Sequence, residues 1–312
     1  MALALDNMTK QPRFTAENIS QWQTEGFAIM TDFFHADEIA PIRADYERIY
    51  GQVSHQEAEA PAVEKNPLGE FNTSQFKNID TFPYDGSAEM MMLSLHPSLI
   101  EYSKAVLGVD KVQLYQSHTW AKFTGEADYD QPFHCDFGNH TLTIPSDEIS
   151  ERAVDLIIYF TDVTEAHGAL HYVTKPDSDE VLRPGAIAAP EEAQQLALRT
   201  RERSATCPAG SVVAHGIDTF HRGTNLTLKD GYRYSMTVGY KAADNNKINY
   251  HVWQVSEGRN WNPIFKLGSP EQLECIGIPL PGDPYWNART LKLTQARWPD
   301  WDMSPYFDKA GI

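Results

Sequence analysis

The amino-acid sequence predicts a β-sandwich or jelly roll with helices layered on one face. Three observations carry this. Helical signals, with apolar residues recurring at steps of three and four, form a layer in the first part of the chain, before residue 111. Short apolar runs bounded by Gly, Pro and Asp then follow one another as far as residue 241. Composition is that of a packed protein, 41% hydrophobic and 22% charged, so a core of useful size is available.

In chain order, Thr15 after Phe14 caps an amphipathic helix through Trp22, which Gly26 ends. Phe27-Ala-Ile-Met30 follows as a short strand. A second helix is expected from Ala36 to Tyr50, because Ile39, Ile42, Tyr46 and Ile49 share one face. Residues 51–89 are polar and acidic, broken by Pro61, Pro67 and Pro83, and read as an extended loop. Pro97 to Leu107 reads as a third helix, ended by Gly108. Strands are expected at 111–116, 139–144, 154–163, 169–173, 211–215 and 232–240, with a helical insertion at 190–198. Residues 241–312 hold five of the seven tryptophans and seven of the nineteen prolines at zero net charge. It reads as a packed coat, with a dimer arm or a pocket wall as other uses. The whole chain, 1–312, is taken as one domain: a helical layer and acidic loop (14–110), a strand-rich core (111–241) and a C-terminal wrap (242–312).

With 26 Lys+Arg against 43 Asp+Glu, the formal charge is −17. That excludes nucleic acid and anionic membranes as partners, since both need a basic footprint. Three cysteines make no disulfide framework and point to a reducing compartment. Met1 to Leu5 lacks the basic flank and apolar run of a signal peptide, and Leu156 to Phe160 is too short to span a bilayer. The C-terminal Lys309-Ala-Gly-Ile312 is no retention signal, so a cytoplasmic location is expected, as a monomer or homodimer.

Three His-x-acid pairs occur where chance gives about 1.5, so context must separate them. His35 and Asp37 sit at a helix start, where Asp caps. His55 and Glu57 lie in the acidic loop, as a solvated pair. His134 and Asp136, in Gln131-Pro-Phe-His-Cys-Asp-Phe137, open the strand-rich region. An extended segment turns residues i and i+2 to the same face, so imidazole and carboxylate would converge while Cys135 points away as a neutral spacer. A third ligand would complete a two-His-one-carboxylate set that leaves positions open and selects non-haem Fe(II). His215 and His221 compete for that place. His221 is preferred because it begins the turn Arg222-Gly-Thr-Asn225 and precedes a strand bearing Arg233, whose guanidinium can grip a dicarboxylate.

This order of motifs resembles the phytanoyl-CoA dioxygenase family: a helical N-terminus opening Phe14-Thr-Ala-Glu-Asn-Ile-Ser-Gln-Trp22, then His134-x-Asp136, Glu165-Ala-His-Gly-Ala-Leu-His-Tyr-Val173, His221-Arg-Gly-Thr-Asn225 and Arg233. The resemblance covers residues 14 to 241. It implies a double-stranded β-helix of cupin-like jelly-roll form, with Fe(II) held by His134, Asp136 and His221. It also implies 2-oxoglutarate anchored by Arg233, with Gln116 and Thr224 as further cosubstrate contacts. O2 would be consumed in hydroxylating an unactivated C–H bond, with release of succinate and CO2. Two details depart from the family pattern: Gly223 stands where a small hydroxyl residue is common, and Arg233 lies one residue further on. Related halogenases replace the carboxylate by a small residue, so Asp136 implies hydroxylation or another oxidative outcome.

Trp120, Lys122, Phe137 and His171 are possible substrate-pocket residues. Alternation puts Gln116, Trp120 and Lys122 on one face, whereas His171 and Tyr172 face opposite ways. His140 and His167 read as turn or surface residues. Rival readings are a cupin-like metalloenzyme without 2-oxoglutarate and a non-catalytic jelly-roll binding protein. The acidic balance, including the stretch 51–100, leaves no basic cluster for a CoA thioester. A neutral, cationic or zwitterionic small-molecule substrate is expected.

Overall fold

The computed structural model describes residues 13–51, 79–124, 130–141, 145–248 and 260–312. Its elements are α1 (Ala16–Glu25), β1 (Phe27–Met30), α2 (Ala36–Tyr50), α3 (Ala88–Leu93), α4 (Pro97–Leu107), β2 (Val112–Phe123), α5 (Phe137–His140) and β3 (Ala153–Tyr159). There follow β4 (His171–Tyr172), α6 (Lys175–Val181), α7 (Glu192–Arg199), β5 (Arg203–Ser204), β6 (Val212–Gly216), β7 (His221–Arg222) and β8 (Tyr232–Ala242). The tail forms α8 (Asn262–Leu267), α9 (Pro270–Glu274), α10 (Ala288–Arg297) and α11 (Ser304–Ala310).

The strands build two antiparallel sheets, of order β1–β6–β3–β8–β2 and β5–β4–β7. A bridge between His134 and His221 extends the smaller one. The sheets close on each other through Phe27, Tyr159 and Val213 on one side and Ala169, Tyr172 and Cys207 on the other. This is the jelly roll with flanking helices that the sequence predicts.

Alternation sorts the large sheet into two chemistries. Leu156 and Ile158 of β3, Ala214 of β6 and Met236 and Val238 of β8 join Ile39, Ile42 and Tyr46 of α2 and Leu99 and Tyr102 of α4 in one apolar cluster. The opposite parity turns toward the smaller sheet and carries, beside the apolar Ile157, Tyr159 and Val213, a polar group: Asp155, His215, Arg233 and Thr237, with Gln116, Trp120 and Lys122 on β2. An irregularity between Leu114 and Gln116 inserts Tyr115 into β2.

Local signals explain the helices. Thr15 Oγ1 accepts from Asn18 N at 3.2 Å while Asn18 Oδ1 accepts from Thr15 N at 2.9 Å, a reciprocal cap. Gly26 ends α1 at φ +78°, a conformation that a Cβ disfavours. His35, not Asp37, occupies the N-cap of α2, and Glu38 accepts from its backbone N–H. Among the described residues, seven helices were not expected, α3, α5, α6 and the four of the tail; Ser87 caps α3 and Thr174 caps α6.

Two strand expectations need correction. β2 runs on to Phe123, because its polar inward residues hide the apolar period. Asn139 and His140, expected to open the strand at 139–144, belong instead to α5: Asp136 lies at φ −77°, ψ −12°, and its carbonyl accepts from Asn139 N at 2.9 Å. Residues 142–144 lie outside the described residues, as do His55 and Glu57, most of the 51–89 loop and Trp253.

The tail packs on the helical side. Trp261 meets Phe82 edge-on at 5.6 Å, and Phe265 stacks on Trp301 at 4.8 Å. Leu114 N–H donates to Cys275 O at 2.6 Å, so the tail covers part of the edge strand. Among the described residues, no helix is long and apolar enough to cross a membrane.

Candidate metal and cosubstrate site

The chain brings His134 and His221 together by backbone pairing. Each donates its N–H to the other's carbonyl at 3.0 Å, and the ring centroids stand 4.6 Å apart. Asp136 then arrives through the turn into α5, not through extended alternation. Its Oδ2 lies 3.3 Å from His221 Nε2 and its Oδ1 3.5 Å from His134 Nε2. Adjacent ligands about 2.1 Å from one ion stand roughly 3.0 Å apart, so the donor spacing fits a single metal.

The outer nitrogens prepare the inner ones. His134 Nδ1 bonds Pro132 O at 2.9 Å and His221 Nδ1 bonds Thr219 O at 3.0 Å. A carbonyl partner requires an Nδ1–H, which leaves each Nε2 lone pair for a metal. Burial, helped by His221, lowers the His134 pKa to about 4. Burial works against the Asp136 charge, yet His221 and His134 hold the carboxyl well below its usual range. Two imidazoles and one carboxylate are the donor set that suits non-haem Fe(II).

His215 lies within β6, its Nδ1 near Gly216 O at 3.2 Å and its ring 4.6 Å from that of His221. It supports the site from behind and is not in the convergent donor group. Cys135 turns the other way, against the cluster around Phe133, Val173 and Phe220.

Arg233 lies directly across β2 from Lys122. Its guanidinium is buried, donates to Gly168 O and lies over the Tyr159 ring at 6.0 Å. Its Nε has no partner, and no carboxylate pairs with it among the described residues. A buried cation with an orphaned N–H is a natural receiver for an anion such as the far carboxylate of 2-oxoglutarate.

The other sequence-predicted residues divide. Lys122 Nζ donates to Thr224 O, and the Thr224 hydroxyl is engaged with Ala169 O at 2.7 Å. Trp120 Nε1 donates to Thr237 Oγ1 at 2.9 Å on the inner face. Gln116 lies at the far end of β2 from Lys122, where its amide bonds Asp155 at 2.8 Å. Six strand residues span roughly 20 Å, so Gln116 cannot share Arg233's carboxylate. Phe137 packs against Tyr115, Ala153 and Ile217. His171 is a correction: Glu165 and Glu202 hold it at 3.0 and 3.1 Å, and its neighbour Tyr172 is the one that points inward, onto Phe27. His140 is also corrected, being buried against the Tyr115 ring rather than on the surface. His167 stays in its turn, bonded to Thr164.

The polar residues that sequence reasoning missed are Tyr115 and Asp155. The signal was present for Asp155: one acid inside the apolar run Val154-Asp-Leu-Ile-Ile158.

The family model described as phytanoyl-CoA dioxygenase (PhyH) matches residues 22–231. The ectoine dioxygenase of Stutzerimonas stutzeri (strain A1501) is 26% identical over 248 residues, covering 74% of this chain and 78% of the relative. The crystal structure of EctD from S. alaskensis with 2-oxoglutarate and 5-hydroxyectoine has a TM-score of 0.54 at 17% identity, over 81% of this chain and 84% of that one. The non-haem α-ketoglutarate-dependent carbocyclase SnoK from nogalamycin biosynthesis has a TM-score of 0.55 at 18% identity, over 78% and 89%.

Proposed function

The chain belongs to the phytanoyl-CoA dioxygenase family, and from that premise we propose that it is an Fe(II)- and 2-oxoglutarate-dependent oxygenase that hydroxylates a small molecule. His134, Asp136 and His221 hold the iron, and Arg233 holds the far carboxylate of 2-oxoglutarate. The observation that carries the reading is their conjunction between the sheets: three convergent donor atoms and a buried guanidinium with an unpartnered N–H.

When bound, iron with 2-oxoglutarate and O2 supplies an oxidant able to attack an unactivated C–H bond, releasing succinate and CO2. The chain's own part is placement. The carbonyls of Pro132 and Thr219 hold both imidazoles in the tautomer that ligates. Asp136 brings one negative charge and leaves the remaining positions open. Arg233, tied to Gly168 O, fixes one end of the cosubstrate. Trp120, donating to Thr237 on the inner face of the large sheet, is available as a wall of the site.

The substrate is small and not strongly anionic, a reading supported by the net charge of −17. Three free cysteines support a reducing, cytoplasmic setting. The test is 2-oxoglutarate-dependent O2 uptake and succinate release with and without Fe(II). His134→Ala and Asp136→Ala should abolish both. Undiminished turnover by the wild type in chelator-treated, iron-depleted buffer would overturn the reading.

A further inference from the structure

β3 carries a single acid in an apolar run, and that acid, Asp155, is 1% exposed. Its Oδ1 is fully engaged, accepting from the Tyr115 hydroxyl at 2.6 Å and the Gln116 amide at 2.8 Å. Its Oδ2 is equally buried and has no hydrogen-bond partner. A buried carboxylate with one bare oxygen is strongly unfavourable until a donor or cation meets it.

The surroundings are shaped around this group. Gly239 stands directly across on β8, where a Cβ would come within 2.4 Å of Asp155 Oδ1 and 2.6 Å of Gln116 Cγ. The site also borders the metal donors: ligand atoms of Asp136, His140 and Asp155 lie within 4.8 Å of one another.

We propose that Asp155 anchors a cationic nitrogen of the substrate, an ammonium or amidinium, and so sets which molecules reach the reacting centre. The inference rests on the oxygenase reading above. Once Asp136 serves the metal, Asp155 Oδ2 is the buried carboxylate oxygen beside it that has no hydrogen-bond partner. An N–H cation donating to Oδ2 completes its hydrogen bonding and cancels its charge together. Tyr115 and Gln116 hold the carboxylate in one orientation, so the cation is received in one place. A neutral substrate leaves the charge uncompensated, and an anionic one is repelled. A second divalent metal is the less suitable occupant, because a hard ion asks for more oxygen ligands than two carboxylates and one ring supply.

The test uses the full chain with 2-oxoglutarate and Mn(II) in place of iron, which supports binding without turnover. Acetamidinium and its neutral isostere acetamide serve as probes. Binding is read from paramagnetic relaxation of the probe methyl protons, with Zn(II)-loaded protein as diamagnetic control. Acetamidinium should bind at least tenfold more tightly than acetamide and relax strongly. Asp155→Asn keeps the Oδ1 acceptor for Tyr115 and Gln116, so it preserves the fold while removing the charge, and it should bring the two probes to parity. Equal binding of the probes to the wild type, or a preference that survives in Asp155→Asn, would overturn the proposal. So would a second Mn(II) per chain that Asp155→Asn loses. Failure to bind one Mn(II) per chain defeats the oxygenase reading and this inference with it. One bound Mn(II) without probe discrimination defeats the inference alone.

Discussion

Replacing Arg233 by Met should separate cosubstrate binding from folding. In the folded chain the guanidinium is buried with an unpartnered Nε, and burial works against its charge. The substitution loses the bond to Gly168 O, worth about 1 kcal/mol, and removes an uncompensated buried cation. The two roughly offset, so the unliganded protein should change by no more than about 1 kcal/mol in either direction. Toward 2-oxoglutarate the same change deletes a buried charge pair worth roughly 2–5 kcal/mol, so affinity should fall about thirtyfold or more. At a concentration about 100 times Kd, the wild type gains about 2.7 kcal/mol from the ligand, and the variant under about 1 kcal/mol. At roughly 2 °C per kcal/mol for a chain of this size, those gains are shifts in Tm of about 5 °C and under about 2 °C. The assay is thermal unfolding of Mn(II)-loaded protein with and without 2-oxoglutarate, with glutarate as control. A wild-type shift in the variant would refute the anchoring role. A drop of more than about 5 °C before ligand is added would show that Arg233 instead props the turn at Gly168.

Two further outcomes follow from residues outside the metal centre. Burial opposes charge on His171, but its hydrogen bonds to Glu202 and Glu165 outweigh that and raise its pKa above 6.5. That stabilisation is complete below the unfolded value and disappears as pH rises through the folded one; His171→Gln should therefore cost more at about pH 6 than at about pH 9, and equal costs in urea unfolding at both would refute it. Gly26→Ala places a Cβ at φ +78°, 2.4 Å from Thr219 Oγ1, and should destabilise by roughly 2 kcal/mol in denaturant unfolding while one Mn(II) per chain still binds; a loss under about 0.5 kcal/mol would show that the α1–β1 corner relaxes freely.

Much of this was legible because the signals were local. The caps at Thr15 and Gly26, the spacing of Ile39, Ile42 and Tyr46, and the Pro97 start of α4 each act within a few residues. His134 and Asp136 were readable as a pair for the same reason, and preferring His221 to His215 needed only the turn after it. What sequence could not show were consequences of distant contacts. The turn at Asp136 replaces an expected strand because α5 packs Phe137 against Tyr115 and Ile217. His171 leaves the pocket because Glu202, far along the chain, captures it. Asp155 was overlooked because its donors lie on β2, some forty residues earlier, and because an acid in an apolar strand has no periodicity of its own.

The irregularity in β2 bears on how such a pocket can change over generations. A regular strand offers one face only every second side chain, so two successive residues cannot serve the same carboxylate. Here Tyr115 and Gln116, neighbours in sequence, both reach Asp155. The inserted residue also sets the parity of everything downstream, including Trp120 and Lys122. Loss of Tyr115 itself would leave Leu114 and Gln116 adjacent and opposite Tyr240 and Gly239 in regular alternation, whereas loss of a residue beyond Gln116 would exchange the inward and outward residues of the strand's remaining length. Point substitutions at inward positions can retune ligand preference stepwise, whereas a one-residue deletion beyond Gln116 would erase the pocket wall at a stroke. Beyond its bulge this strand is therefore open to drift in side-chain identity and closed to drift in length.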